Sequence, residues 1–131
     1  KPPPKTLFPY TTLFRSLLNL DEEDKKRGYA GGMSANRINA GLGTIISQVL
    51  EQVGREKIAG LYTTGGDTMV NVCYQLGVEC IEVMDYVIPQ TDVGRLVGKY
   101  DGLPVVGKGG LTGNDNTACD IVERLFKESA R

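Results

Sequence analysis

Twice in this sequence a short apolar, partly β-branched run breaks into a glycine-rich turn and then into residues at helical spacing. Ile58-Ala59-Gly60-Leu61-Tyr62-Thr63 leads through Thr64-Gly65-Gly66-Asp67-Thr68 to Met69, Val70, Cys73 and Leu76, and the run stops at Gly77. Leu103-Pro104-Val105-Val106 leads through Gly107-Lys108-Gly109-Gly110-Leu111-Thr112-Gly113 to Ala118, Ile121, Val122, Leu125 and Phe126. Short apolar runs bounded by turns read as buried strands, and recurrence at three and four residues marks amphipathic helices. Two strand–glycine turn–helix units in one domain's length predict an α/β fold, an open, mostly parallel sheet flanked by helices.

The remaining segments fit that frame. Ile38, Leu42, Ile45, Ile46, Val49, Leu50 and Val53 predict a helix with these residues on one face, closed by Gly54. Strand-like segments fall at Cys80 to Val87 and around Arg95 to Val97. The mixed charge run Asp21 to Arg27 reads as solvated surface, and Gly28 to Ser34 as a loop.

Composition removes several functions. Fifteen basic against sixteen acidic residues give a net charge of −1, so the electrostatic footprint of a nucleic-acid binder is missing. No apolar run approaches the ~20 residues that cross a bilayer. Nothing resembles a signal peptide, which makes the cytoplasm the default location. Without histidine there is no His-based triad or His zinc site, and no metal-ligand cluster is expected. Cys73, Cys80 and Cys119 form no CxxC pair and read as core or near-core thiols in a reducing compartment.

Residues 6 to 16, Thr-Leu-Phe-Pro-Tyr-Thr-Thr-Leu-Phe-Arg-Ser, match the in-frame translation of a common sequencing-library adapter along their whole length. Residues 1–16 are therefore read as non-native and disordered, and residues 17–131 as part of a domain whose protein began further upstream.

Both glycine turns lie where open α/β sheets bind ligands, beyond the carboxyl ends of strands. A helix N-terminus there offers unpaired N–H groups and partial positive charge to a phosphate, and glycine lets the backbone come close. Each turn alone is a weak signal, since Gly-rich turns more often serve simply to turn the chain tightly between strand and helix. Lys108 precedes its glycines, so this is no Walker loop, and no G-x-G-x-x-G opens a dinucleotide fold.

The order Gly-Leu-Tyr-Thr-Thr-Gly-Gly-Asp-Thr, then an apolar strand with Pro89, then Gly-Lys-Gly-Gly-Leu-Thr-Gly before the last helix resembles the nucleotide-binding C-terminal domain of the four-carbon acid sugar kinases. That family pattern is G-G-[DE]-T followed by K-[SG]-G-x-x-G, and the resemblance covers about Asn39 to Leu125. It implies that residues 17–131 are a partial nucleotide-binding domain whose two turns hold the phosphates of ATP with Mg²⁺. The implied contacts are Gly65, Gly66, Asp67 and Thr68, with Gly109, Gly110 and Gly113 from the second turn. Lys108 either neutralises phosphate charge or anchors the loop. Asp67 either caps its own helix or meets a metal.

The sequence departs from the family in lacking the acidic D-D-x-T-G-type motif of the sugar-acid domain. The implied function is the ATP-binding half of a phosphotransferase acting on erythronate, threonate or a 3-oxo acid. Its acceptor and catalytic residues would come from an N-terminal domain, and this chain alone would be inactive. A homo-oligomer is compatible with the chain. Two other classes stay open: a non-catalytic nucleotide- or ligand-binding module, and an NAD-binding oxidoreductase domain, which the missing fingerprint glycines disfavour.

Overall fold

The computed structural model describes residues 19–130, so the adapter-like string and the expectation of disorder over 1–16 lie outside the described residues. The described residues divide into two compact units, the first ending at Ala35 and the second beginning at Asn36.

In the first unit, the charge run is a helix, α1 (Leu20–Arg27), and not merely solvated surface. The Asn19 side chain accepts from the Glu22 N–H, Asp21, Glu22 and Glu23 occupy the first turn, and Lys25, Lys26 and Arg27 the last. That charge order complements the helix dipole. Asp24 is buried, and its carboxylate accepts from the Gly32 and Ser34 N–H groups, each at 2.8 Å. The Ser34 hydroxyl, followed by these backbone donors, holds the Asp24 carboxyl below its ordinary value. The start of the next helix, α2 (Met33–Val53), is thereby given the acceptor that its own first turn lacks.

The second unit is a four-stranded sheet with helices on both faces. Its elements are β1 (Leu61–Thr64), α3 (Gly66–Leu76), β2 (Val78–Ile88), β3 (Thr91–Gly98), β4 (Pro104–Lys108) and α4 (Thr117–Ser129). A short 3₁₀ turn, Arg55–Lys57, follows α2. The strand order is β1-β4-β3-β2. The expected α/β class and open sheet are present, but the sheet is mixed: β1 pairs parallel with β4, while β4–β3 and β3–β2 are antiparallel. The reason is local. Ile88-Pro89-Gln90-Thr91 is a tight turn, with Gln90 at φ 61°, and two strands joined so closely must run antiparallel.

Val105 and Val106 point to opposite faces, as successive strand residues must. Val105 joins Leu50, Val72, Leu76, Leu96, Tyr100 and Leu103 on the α3 side, and Val106 joins Val93, Ile121 and Leu125 on the α4 side. Each fully buried aliphatic side chain contributes about 1.5–3 kcal/mol.

The α2 helix forms where its periodicity predicts, yet the stripe Ile38, Leu42, Ile45, Val49 and Val53 is exposed. Ile46 and Leu50 of the predicted stripe do pack inward, and Asn39 and Gly43 lie on that same edge. Asn39 accepts from the Thr68 hydroxyl at 3.1 Å. A side chain on Gly43 would stand 2.7 Å from Gln75 Cγ and 2.9 Å from the Asn71 carbonyl, so α2 and α3 meet backbone to backbone at that glycine. The cysteines also differ from expectation. Cys73 is half-buried, which pushes its thiol up, while Cys80 and Cys119 are exposed, and all three are free.

Candidate functional site

The parallel pairing of β1 with β4 is what builds the site. Thr64 lies opposite Lys108, so two glycine turns more than forty residues apart in sequence leave the sheet side by side. They are joined directly, the Gly65 N–H donating to the Lys108 carbonyl at 2.9 Å. The β2–β3 turn arrives at the same edge, because Thr91 also pairs with Lys108 and the Gly109 N–H donates to the Gln90 carbonyl at 2.8 Å.

Between these three turns lies a cavity of about 310 Å³ lined by Gly65, Gly66, Met69, Gln90, Asp92, Gly107, Lys108 and Gly109. Of the residues expected from the sequence, Gly65, Gly66, Lys108 and Gly109 line it. Asp67, Thr68, Gly110 and Gly113 do not, although they adjoin it in the two turns.

Each expected residue has a definite setting. Gly65 stands at the N-cap of α3 with φ 89° and no side-chain cap, so Asp67 is not the capping residue but an exposed member of the first turn. The first hydrogen bond into that helix is Met69 N–H to the Gly65 carbonyl at 3.1 Å, which leaves the amides of Gly66, Asp67 and Thr68 for another acceptor. The Thr68 hydroxyl is occupied by Asn39. Gly66 and Gly110 have nothing within 4 Å of where a Cβ would stand. Gly113, at φ 99°, sits against Thr117, whose Oγ1 would lie 2.8 Å from a Cβ there, and serves the turn itself.

Lys108 makes the contacts of a loop anchor. Its ammonium donates to the carbonyls of Gly109 at 2.6 Å and Thr112 at 2.7 Å, and the Thr112 hydroxyl donates to the Gly109 carbonyl at 3.0 Å. With the Gly109 and Thr112 carbonyls gathered on the lysine and their N–H groups bonded within the turns, the amides of Gly110 and Leu111 are the ones that can face an anion.

Sequence reasoning missed Met69, Gln90, Asp92 and Gly107. The signal for Gln90 and Asp92 was present as Pro89-Gln90 between two strand-like runs, which reads as a turn once those runs are paired. Gly107 is needed because Met69 Sδ stands 2.5 Å from its absent Cβ. Among the described residues no group of three or more His, Cys, Asp or Glu could hold a metal ion, and no helix is long and apolar enough to cross a membrane.

Residues 7–118 match a protein family described as the nucleotide-binding C-terminal domain. Similar curated proteins include a D-erythronate kinase of Heliobacterium modesticaldum, 45% identical over 93 residues, which are 70% of this chain and 21% of that protein. A D-threonate kinase of Salmonella typhimurium is 36% identical over 87 residues, 66% of this chain and 20% of that protein. The chain thus spans about a fifth of the length of the curated relatives it matches. Among solved structures, a domain of unknown function from Bordetella bronchiseptica, a domain-swapped dimer with bound citrate, matches with TM-score 0.65 and 27% identity. That match covers 75% of this chain and 24% of the other.

Proposed function

The chain belongs to the nucleotide-binding C-terminal domain family, and from that premise we propose that it is the ATP-binding part of a kinase that phosphorylates a four-carbon sugar acid. The observation that carries the proposal is the pairing of two glycine turns at one sheet edge, Gly65 N–H bonded to the Lys108 carbonyl, beside a cavity of about 310 Å³. Backbone amides of Gly66, Asp67 and Thr68 at the α3 N-terminus and of Gly110 and Gly113 in the second turn receive the phosphate oxygens. The names of the relatives, an erythronate and a threonate kinase, support the substrate class.

Mg²⁺ fits this site in one specific way. Among the described residues Asp92 is the one carboxylate lining the cavity, and Lys108 donates to two carbonyls, so the polyphosphate meets little protein cation there. Mg²⁺ is ordinarily held by one or two carboxylates together with phosphates, and Asp92, or Asp67 at the helix start, would supply that share. When bound, the ion would offset phosphate charge. This chain's own residues bind and orient the nucleotide.

Phosphoryl transfer depends on positioning both substrates and stabilising charge. The sequence holds no acidic acceptor motif of the D-D-x-T-G type. We therefore expect no kinase activity from this chain alone, and ATP-dependent phosphorylation of erythronate or threonate from the full-length protein. An amide chemical-shift titration with Mg·ATP tests the binding half: shifts concentrated at Gly65–Thr68 and Gly109–Gly113 support it. Phosphorylated tetronate made by the purified chain would overturn the division of roles.

A further inference from the structure

We propose that the apolar cleft between α3 and β2 receives the purine base of the nucleotide whose phosphates lie on the glycine turns; the inference rests on that phosphate reading. The cleft has a volume of about 340 Å³, lined by Met69, Val70, Cys73 and Tyr74 of α3 and by Cys80 and Ile81 of β2 among others. Its size falls at the lower end of the ~300–1,000 Å³ of small-molecule sites. Two features tie it to the phosphate cavity and to a base.

Continuity is the first. Met69 lines both cavities, with its sulfur over Gly107, so it forms the wall that the two share. A ligand that holds its phosphates on the α3 N-terminus can pass beside Met69 into the cleft without leaving the protein surface. The chemistry is the second. A purine offers two apolar faces and a polar edge. The cleft offers thioether, thiol and aliphatic groups for the faces, an aromatic ring at Tyr74, and a single charged residue, Glu79, whose carboxylate can accept from an exocyclic amine. Tyr74 and Val70, one helical turn apart, are 80% and 65% exposed, apolar groups that the core of this domain does not use.

Cysteine footprinting tests the assignment on the unmodified chain. Cys73 and Cys80 line the cleft, whereas Cys119 lies on α4 and is not among its lining residues, so it serves as the internal reference. Alkylation by N-ethylmaleimide is followed by mass spectrometry with no ligand, with Mg·ATP and with Mg·tripolyphosphate, which shares the phosphates but has no base. The expected result is that Mg·ATP slows Cys80 labelling several-fold while tripolyphosphate binds without slowing it, Cys119 being unaffected by both. A second arm uses Val70→Trp, which fills the cleft from an exposed position. It should weaken ATP roughly tenfold, the scale of a lost base contact, and leave tripolyphosphate affinity unchanged. If ATP displaces tripolyphosphate but Cys80 labels at its free rate and Val70→Trp binds ATP normally, the cleft is not the base site and the phosphate cradle stands. If neither ligand binds, the cradle reading and the cleft assignment fall together.

Discussion

The Lys108 ammonium donates to the carbonyl of Thr112 at 2.7 Å and so closes the second glycine turn on itself. Under the proposed function, a lysine held in this way would shape the phosphate site without contributing its charge to the ligand. Lys108→Met should therefore loosen the turn, speed amide exchange at Gly109 and Thr112, whose N–H groups are bonded to the Gln90 and Gly109 carbonyls, and weaken ATP roughly tenfold, about the worth of one charge-assisted hydrogen bond. Weakened binding with unchanged amide exchange would instead make Lys108 a direct phosphate ligand.

Glu128 is the buried anchor of the last helix. It accepts from Arg95 Nη2 at 3.4 Å and Arg124 Nε at 2.9 Å, while Arg124 also reaches Asp85 at 2.9 Å and Arg95 the Gly102 carbonyl at 2.9 Å. These bonds tie α4 to the sheet. Glu128→Ala should cost roughly 3 kcal/mol in denaturant unfolding, the low end for a broken buried pair, because both arginines can still reach water. Unfolding within about 0.5 kcal/mol of the unmodified chain would mean the network adds nothing, as for many surface pairs.

Asp24 makes the first unit acid-sensitive. Its folded carboxyl titrates below the ordinary value, the Ser34 hydroxyl being the largest cause. The stabilisation is thus fully present above about pH 4 and is lost as pH falls through the lowered folded value. Exchange at the Gly32 and Ser34 amides should accelerate on acidification, beyond its intrinsic pH dependence, in the unmodified chain. In Asp24→Asn those amides should be less protected at neutral pH and show little further change on acidification. Identical profiles in the two proteins would contradict this.

What the sequence disclosed, and what it did not, follows from range. The two strand–glycine turn–helix units and the α2 helix are local patterns, and all three are present. The parallel juxtaposition of β1 and β4, which brings Gly65 to Lys108, joins residues far apart in the chain, and no window contains it. The antiparallel half of the sheet hung on Pro89-Gln90 with Gln90 in a conformation that glycine usually takes, so composition did not advertise the turn. The face of α2 was only partly legible: Ile46 and Leu50 do pack inward, Ile38 and Leu42 are exposed, and the close approach to α3 turns on Gly43, whose signal is the absence of a side chain. Lys108 showed its charge in the sequence but not the two carbonyls that consume it.

Residues 1–16 carry the adapter-like string, and because a sequence of that origin was not selected with the fold, we expect its removal to leave the melting temperature within about a degree. Calorimetry of the chain begun at Leu17 checks this. A fall of several degrees would show that the segment belongs to the fold.

The central claim is that backbone amides in both glycine turns hold the phosphates of ATP. Gly66 and Gly110 are clean probes, because neither has an atom within 4 Å of an added Cβ and neither has a left-handed φ. Gly65 and Gly113 are not, since φ values of 89° and 99° make any side chain there strained. Isothermal titration with Mg·ATP, with circular dichroism as the check on folding, is the direct measurement. Gly66→Val and Gly110→Val should keep the fold and lose ATP affinity by ~10–100-fold, about 1.4–2.7 kcal/mol. If both variants stay folded and bind ATP as the unmodified chain does, the phosphates do not lie on these turns and the account is wrong.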